Sequence, residues 1–222
     1  MTTGELRGWR KIVQATPGRA TRLHTARNEL VPLLPALTRD LPVLVARRLL
    51  RRAPTEPWLA RDAVSFLRTA IQADWDILEI GSGASTTWYA RRARRVIAIE
   101  SDPVWHQHVA ASLAGHPNAT VEAVAANDFP MRIAREPDES FDLVVVDGSE
   151  DYLSPDEGRV GCVRAAAPKV RPGGILLLDN SDWPRYAPVD AILESWRCVR
   201  FRGFTTGPLT PIETTLYWRP SL

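Results

Sequence analysis

One stretch decides the fold: Asp76-Ile77-Leu78-Glu79-Ile80-Gly81-Ser82-Gly83-Ala84-Ser85-Thr86-Thr87. Its apolar run contains an acid and is followed by two glycines one residue apart and then by small hydroxyl residues. This order predicts a buried strand, a tight turn and the start of a helix. Glycine allows a positive φ in the turn and lets a ligand approach the bare backbone. Because the helix start also offers free N–H groups and a positive dipole end, we expect a nucleotide-like ligand there.

A second apolar strand, Arg95-Val96-Ile97-Ala98-Ile99-Glu100, follows and also ends in an acid. A carboxylate at that position can accept hydrogen bonds from both hydroxyls of a ribose, as it does for dinucleotides and for S-adenosylmethionine. The dinucleotide fingerprint needs a third glycine, and Thr86 stands in its place. Glu79 would also lie close to a negative pyrophosphate, whereas acids favour the cationic sulfonium and ammonium of S-adenosylmethionine.

These motifs resemble the first two motifs of class I S-adenosylmethionine-dependent methyltransferases, with Ser85 where those enzymes often carry a third glycine. The resemblance covers residues 75 to 219 at the level of the fold. It implies that Glu79 lies near the methionine ammonium, that Glu100 binds the ribose and that Asp128 accepts from the adenine amine. The cofactor-binding residues predicted in this way are Glu79, Gly81, Ser82, Gly83, Ser85, Thr86, Glu100, Ser101, Asn127, Asp128 and Asp147.

Strands and helices alternate after residue 75, which predicts an α/β fold with a doubly wound, mostly parallel sheet. The last two of seven predicted strands are joined by a link too short for a helix, so they should pair antiparallel. By resemblance, the final strand inserts between the fifth and the sixth. The predicted strands are Asp76–Ile80, Val96–Glu100, Thr120–Val124, Phe141–Val146, Gly174–Leu178, Val199–Phe201 and Thr214–Trp218. The predicted helices are Trp58–Ala73, Thr86–Ala93, Val104–Ala114, Asp156–Lys169 and Val189–Trp196.

Residues 1 to about 60 carry no strand pattern, unlike the rest of the chain. Two units are therefore predicted: a helical cap or lid at residues 1–60 and a Rossmann-like methyltransferase domain at residues 61–222. Leu23 to Leu37 and Leu41 to Leu50 carry apolar residues at helical spacings, interrupted by prolines. Residues 1–61 hold 12 basic and 4 acidic side chains, a net charge of +8, against −6 for the remainder. This asymmetry fits either a solvated helical face or an anionic substrate.

Composition limits the other classes of function. The 222 residues carry a net charge of +2, two cysteines and no apolar stretch long enough to span a bilayer. No secretory signal precedes the domain, so a cytoplasmic protein with reduced thiols is expected. No basic groove or zinc cluster suggests nucleic acid. Residues 41–52 could form an interfacial amphipathic helix, but a packing helix with a basic outer face is preferred, so no membrane partner is expected. A small-molecule acceptor is therefore predicted, and a homodimer is compatible with the sequence.

The acceptor chemistry is predicted from the ends of the fourth and fifth strands. By resemblance, Asp147 lies where the methyl donor meets the acceptor. Asp147, Asp179 and Asn180 are also similar to the two aspartates and the asparagine that hold Mg²⁺ in catechol-type O-methyltransferases, so these three residues are predicted Mg²⁺ ligands. Those enzymes carry a lysine base after the first aspartate, whereas this chain has lysine only at positions 11 and 169. An acceptor pocket without metal is the alternative.

The predicted function is S-adenosylmethionine-dependent methylation of a small molecule, on oxygen by in-line transfer. The oxygen preference rests on the resemblance at the two strand ends. The predicted catalytic residues are Asp147, Glu150 and Asp179, and the further candidates for a base are Asp151, Asp182 and His24. An NAD(P)-dependent oxidoreductase, an aminopropyl transferase and a non-catalytic nucleotide-binding protein on the same fold are the alternatives.

Overall fold

The computed structural model describes residues 23–35, 38, 55–148, 158–205 and 211–221. Its seven strands form one sheet in the order β3-β2-β1-β4-β5-β7-β6. The strands are β1 (Asp76–Ile80), β2 (Arg95–Glu100), β3 (Ala119–Ala123), β4 (Phe141–Val146), β5 (Val170–Asp179), β6 (Arg197–Phe204) and β7 (Pro211–Trp218). β1 to β5 run parallel, whereas β7 lies between β5 and β6 and is antiparallel to both. The predicted sheet and the insertion of its last strand are confirmed.

Six helices with described boundaries flank the sheet. They are α1 (Arg61–Ala70), α2 (Ala84–Ala90), α3 (Pro103–Ser112), α4 (Phe129–Ala134), α5 (Arg159–Ala166) and α6 (Pro188–Ile192). Helix α4 was not predicted, because its six residues include Pro130 and are too few to show a helical period. Helix α1 begins three residues later than the predicted helix, after an irregular segment at residues 55–60.

The core forms two apolar layers, one on each face of the sheet. Alternate residues of a strand point to opposite faces, so Ile77 of β1 packs with α1, α2 and α3, while Leu78 packs with α4, α5 and α6. All five residues of β1 are buried, as expected for a central parallel strand covered on both faces. This arrangement leaves the carboxyl ends of β1, β2, β4 and β5 at one edge of the sheet.

The helix predicted over Leu23 to Leu37 is wrong for residues 23–31. These residues form a turn closed by a β-bridge between His24 and Leu30, with Asn28 at φ 64°. Only Leu33–Pro35 is helical within the described part of this segment. The helix predicted over Leu41 to Leu50 lies outside the described residues.

Long-range polar contacts hold the turn at residues 23–31 against the sheet. The backbone N–H of Ala26 donates to the buried Asp182 carboxylate, and Arg27 lies 3.4 Å from Glu213 and 3.7 Å from Asp190. The segment is therefore shaped by partners about 155 positions away in sequence rather than by its own helical period. Within the described residues, no helix is long and apolar enough to cross a bilayer.

Candidate functional site

The turn after β1 requires glycine at its first position. Gly81 has φ +92°, and a Cβ on this residue would lie 2.7 Å from the backbone nitrogen of Gly148. The N–H of Gly81 donates to the carbonyl of Ile99 at 3.0 Å, and that of Gly148 donates to the carbonyl of Ile80 at 2.5 Å. These bonds draw the ends of β1, β2 and β4 together, so the turn is a rigid part of the sheet edge.

The acid at the end of β2 organises the same turn. One Glu100 oxygen accepts from the Ser82 N–H at 3.1 Å and from the Ser82 hydroxyl at 2.7 Å. The other oxygen accepts from the N–H groups of Ser101 and Asp102 at 2.9 and 3.0 Å. Glu100 is only 8% exposed. Its carboxylate accepts four hydrogen bonds and so links the loop after β1 to the loop after β2. The structure therefore brings together Ser82, Glu100 and Ser101, three of the residues predicted to bind the cofactor.

Glu79 lies deeper, within the sheet edge. Its carboxylate accepts from the Thr86 hydroxyl at 2.7 Å, and the same hydroxyl accepts from the Gly83 N–H at 3.0 Å. Burial raises the pKa of Glu79 to about 8, against the lowering effect of hydrogen bonds from Ser85 and Thr86. Glu79 thus joins the glycine turn to α2 and is able to hold a proton near neutral pH.

A cavity of about 590 Å³ opens beside the glycine turn. Its size falls in the range of small-molecule sites, which is roughly 300–1,000 Å³. Four predicted residues line it: Ser82, Gly83, Ser85 and Asp147. The rest of the lining is supplied by residues of the segment before α1, of α2 and of α3: Thr55, Glu56, Trp58, Ala84, Thr87, Arg91, Trp105, His108, Val109 and Ser112.

Trp105 forms an aromatic wall of this cavity. Its indole N–H donates to the Ser82 carbonyl at 2.8 Å, and its ring stacks on His108 with 5.1 Å between the centroids. Asp102 caps α3, because one of its oxygens accepts from the N–H groups of Val104 and Trp105, each at 2.8 Å. The cap fixes the first turn of α3 and so holds the indole beside the glycine turn.

The loop after β3 carries two predicted cofactor-binding residues, of which Asp128 is the one predicted to meet adenine. Asn127 and Asp128 lie in a short 3-10 helix, Ala126–Asp128, with Asn127 exposed and Asp128 half-buried. The N–H of Asp128 donates to the Ala125 carbonyl at 2.8 Å. The loop follows β3, which pairs with β2, so it stands at the same sheet edge as Glu100.

Asp147 and Asp179 come together at the ends of β4 and β5. Their carboxyl groups interact electrostatically, and Asp179 accepts a hydrogen bond from the Thr214 hydroxyl at 2.6 Å. Burial, and then the charge of Asp147, raises the pKa of Asp179 well above its usual range. Burial also raises the pKa of Asp147, against the opposing charge of Arg159. The pair can therefore share a proton, with Asp147 as the half-exposed member.

The third predicted metal ligand turns to a different partner. The Asn180 side-chain oxygen accepts from the Arg159 guanidinium at 3.1 Å, and Asn180 itself has φ 55°. No cluster of three or more acidic, histidine or cysteine side chains suited to a metal occurs within residues 23–35, 38, 55–148, 158–205 and 211–221. With its amide oxygen engaged by a cation and one Asp179 oxygen engaged by Thr214, this donor set does not fit Mg²⁺.

Other predicted residues lie apart from this cluster or outside the described chain. Glu150 and Asp151 belong to residues 149–157, which are not described. Asp182 is fully buried and accepts from the Glu213 N–H at 3.3 Å, while His24 lies in the bridge that closes the turn at residues 23–31.

Sequence reasoning missed two residues of the site. Arg159 looked like an ordinary basic residue at a helix start, yet it is 4% exposed. Tyr89 looked like a core aromatic, yet its buried hydroxyl has no hydrogen-bond partner among the described residues. Burial, followed by the charges of Glu79, Asp147 and Asp179, raises the pKa of Tyr89 well above its usual range. The available signal was the position of Tyr89 in the second turn of the helix that follows the glycine turn.

Comparisons with known proteins agree with this geometry. Residues 78–181 match the family model of a methyltransferase domain. No curated protein sequence matches the chain. The O-methyltransferase from Bacillus cereus, solved with S-adenosylhomocysteine, is 18% identical with a TM-score of 0.59, over 81% of this chain and 89% of that chain.

Two further solved structures share the fold. The O-methyltransferase TomG from Streptomyces achromogenes, involved in tomaymycin synthesis and solved with S-adenosylmethionine, is 19% identical with a TM-score of 0.59, over 82% of this chain and 89% of that chain. The N-methyltransferase NodS from Bradyrhizobium japonicum is 20% identical with a TM-score of 0.53, over 82% and 99%.

The sheet order, the glycine turn and the matched domain define the class of protein. The chain carries a methyltransferase domain on a Rossmann-like sheet. The matched domain and the shared fold agree with the class I S-adenosylmethionine-dependent methyltransferases that its motifs resemble. This assignment favours a methyltransferase over the NAD(P)-dependent oxidoreductase that the glycine turn alone had left open.

Proposed function

We propose that this methyltransferase transfers the methyl group of S-adenosylmethionine to an oxygen atom of a small molecule. The observation that carries the proposal is the position of Asp147, whose half-exposed side chain lines the same cavity as Ser82 and Gly83 of the glycine turn. Donor and acceptor can therefore meet at one carboxylate. A base is needed when the acceptor must lose a proton, and oxygen acceptors are the usual case.

The donor is assigned to the glycine turn and its surroundings. Glu100 and Ser82 would hold the ribose, since a carboxylate at the end of β2 suits a pair of hydroxyls. Trp105 would cover one face of the bound nucleoside, while Asn127 and Asp128 would meet the adenine. Glu79, beside Thr86 and behind the turn, would offer a carboxyl oxygen to the donor's ammonium group. When bound, S-adenosylmethionine supplies an activated methyl group, and the protein supplies alignment.

The proton that the acceptor hydroxyl loses is assigned to the pair of carboxyl groups at the ends of β4 and β5. Asp179 is buried and hydrogen-bonded by Thr214, so it holds a proton more readily than Asp147. Asp147 then remains the accessible carboxylate that takes the proton from the acceptor hydroxyl. Glu150 follows in a part of the chain that is not described, and it is retained as a second candidate for this role.

The acceptor is a small molecule in this proposal, because the cavity is of small-molecule size and its lining includes aromatic as well as polar side chains. The two O-methyltransferases named above support oxygen, whereas NodS is an N-methyltransferase. Residues 1–60 are proposed as a cap over a methyltransferase domain at residues 61–222. The cap is supported by Thr55, Glu56 and Trp58, which line the cavity from outside the domain.

The donor assignment is tested by calorimetric titration of the purified protein with S-adenosylhomocysteine and, separately, with NADH. Micromolar binding of S-adenosylhomocysteine without binding of NADH is expected. The reverse pattern would overturn the donor assignment.

The acceptor assignment is tested with isotope-labelled S-adenosylmethionine and matched panels of phenols, carboxylic acids and amines, with products identified by mass spectrometry. Methylated oxygen is expected, and Asp147→Asn should lower the transfer rate by about 100-fold or more while S-adenosylhomocysteine still binds. Products methylated only on nitrogen, or an Asp147→Asn variant as active as the wild type, would contradict the acceptor proposal. A folded protein that binds S-adenosylhomocysteine but transfers no methyl group to any panel would instead favour a non-catalytic binding protein.

A further inference from the structure

Arg159 is buried between the ends of β4 and β5. It is the first residue of α5, and its guanidinium donates to three backbone carbonyls: Asp147 at 2.8 Å, Gly148 at 2.8 Å and Asp179 at 2.7 Å. It also donates to the side-chain oxygen of Asn180 at 3.1 Å. A single cation thus binds the backbone of both strand ends at once.

The guanidinium is also placed to neutralise the acidic pair. One of its terminal nitrogens lies 3.6 Å from a carboxylate oxygen of Asp147. The central guanidinium carbon of Arg159 lies 5.4 Å from the ring centroid of Tyr186, so an aromatic side chain packs near the cation. Because the side chain is 4% exposed and its N–H groups are directed to four oxygens, it has little freedom to move aside.

This arrangement occupies the place that the sequence assigned to Mg²⁺. A magnesium ion needs oxygen ligands at about 2.0–2.1 Å in octahedral geometry and usually retains several waters. Here the Asn180 oxygen already accepts from Arg159, and an added divalent cation would lie beside a fixed positive charge. The repulsion acts in a buried region, where screening by solvent is weak.

We infer that the Arg159 guanidinium takes the place of a divalent cation between the ends of β4 and β5, so that this methyltransferase binds its acceptor without metal. The inference rests on the proposed function for the role of Asp147 in acceptor binding. It also narrows the class of acceptor. Chelation by a metal selects molecules with two adjacent oxygen atoms, whereas a site without metal accepts a molecule that presents a single hydroxyl to Asp147.

Arg159 is a positioning residue in this account, because it contacts the backbone beside Asp147 rather than the acceptor. The first test is a calorimetric titration of chelator-treated wild-type protein with MgCl₂ and with MnCl₂ alone. No binding with a Kd below about 1 mM is expected. Binding tighter than that, if abolished by Asp179→Asn, would overturn the inference. The titration uses no S-adenosylhomocysteine, so its result is independent of the proposed donor site.

A pair of variants tests the position of the cation. Arg159→Met removes the charge with little loss of volume, and Arg164→Met is the matched control, an exposed arginine on the same helix. MgCl₂ or MnCl₂ is expected to raise the melting temperature of Arg159→Met in a concentration-dependent way, because the oxygens at the strand ends are left without a cation. The melting temperatures of the wild type and of Arg164→Met should not change. A metal-dependent rise in the wild type would contradict the inference.

If Arg159→Met does not fold, a more conservative variant can still test whether the charge at position 159 excludes a metal. Arg159→Lys retains the charge but replaces the planar fork by a single ammonium group. It should bind no divalent cation and should melt below the wild type, because fewer of the four oxygens are satisfied. Metal binding by this charged variant with a Kd below about 1 mM would show that the cation at position 159 does not exclude a metal.

Discussion

Gly81 and Gly148 lie in direct backbone contact, although 67 positions separate them in the sequence. A Cβ on Gly81 would lie 2.7 Å from the nitrogen of Gly148, and a Cβ on Gly148 would lie 3.0 Å from the nitrogen of Gly81. The turn after β1 and the end of β4 are therefore one packed unit. The donor side and the acceptor side of the proposed site share this contact.

The first prediction concerns that contact. Gly81→Ala should lower the free energy of unfolding by about 2–4 kcal/mol, because it combines a positive φ with an overlap against rigid backbone. The measurement is urea unfolding followed by circular dichroism. Gly115→Ala is the control, since a Cβ there meets no atom within 4 Å, and it should change the free energy by less than about 0.5 kcal/mol. Equal stabilities of the two variants would contradict the packed turn.

The second prediction concerns Glu100. Glu100→Gln should weaken the binding of S-adenosylhomocysteine by tenfold or more, since loss of a charged hydrogen bond costs about 1.5–3 kcal/mol. In either orientation of the side-chain amide of Glu100→Gln, its NH₂ group would point at backbone N–H donors of one of the two loops, and no hydrogen bond can form between two donors. Calorimetric titration measures the affinity, with Glu122→Gln on the neighbouring strand β3 as the control. Unchanged affinity in folded Glu100→Gln would remove this residue from the ribose role.

The third prediction is a dependence of stability on pH that originates at Glu79. Its pKa is about 8 in the folded state against an ordinary value of 4.5, so the folded state binds the proton more tightly. The contribution to stability is complete below pH 4.5 and is lost as pH rises toward 8, with a limiting slope of about 1.4 kcal/mol per pH unit. Glu79→Gln lacks this titration and should therefore gain stability relative to the wild type as pH rises through that window.

Urea unfolding between pH 5 and pH 8 measures the effect at Glu79, at intervals of about one unit. Glu122→Gln is again the control, because the hydrogen bond from Arg132 lowers the pKa of Glu122 and places its titration below the window. A difference between wild type and Glu79→Gln that stays constant with pH would contradict the buried, protonated state of this carboxyl group.

The fourth prediction concerns the buried carboxylate of Glu213 on β7. Its oxygens accept from Arg202 at 2.8 Å and from the Ser181 hydroxyl at 3.1 Å, while Arg27 lies 3.4 Å away. Arg202→Met should lower the free energy of unfolding by about 2–4 kcal/mol, because it removes the closest cation from a fully buried charge. Arg135→Met, at an exposed arginine, should cost less than about 0.5 kcal/mol in the same urea titration.

The local pattern predicted the sheet well and the N-terminal segment poorly. β1 and β4 have the predicted boundaries, because a short apolar run bounded by an acid or glycine is itself the signal for a buried strand. Residues 23–31 have apolar residues at helical spacings, yet Ala26 is bound by Asp182, a residue 156 positions away. A prediction from local sequence spacing cannot include a hydrogen bond to a residue so distant in the sequence.

Some of the contacts at the candidate site were predictable from the sequence, and others were not. The glycine turn, Glu100 and the Asp147–Asp179 pair meet as expected, since they follow neighbouring strands of one sheet. The buried charge of Arg159 was not predictable, because it depends on three carbonyl groups from two strand ends that converge only in the folded chain. A basic residue at a helix start is ordinarily exposed.

The place of β7 between β5 and β6 has a consequence for the order of assembly. Leu178 of β5 pairs with Thr215, and the N–H of Ala60 donates to the Thr214 hydroxyl at 3.0 Å. During synthesis, the chain emerges with its five parallel strands before the strand that covers β5. Until residues 211–218 have left the ribosome, the edge of β5 offers unpaired backbone groups to any other strand. Protection of that edge by a chaperone, or rapid synthesis of the final segment, would then favour the yield of folded protein.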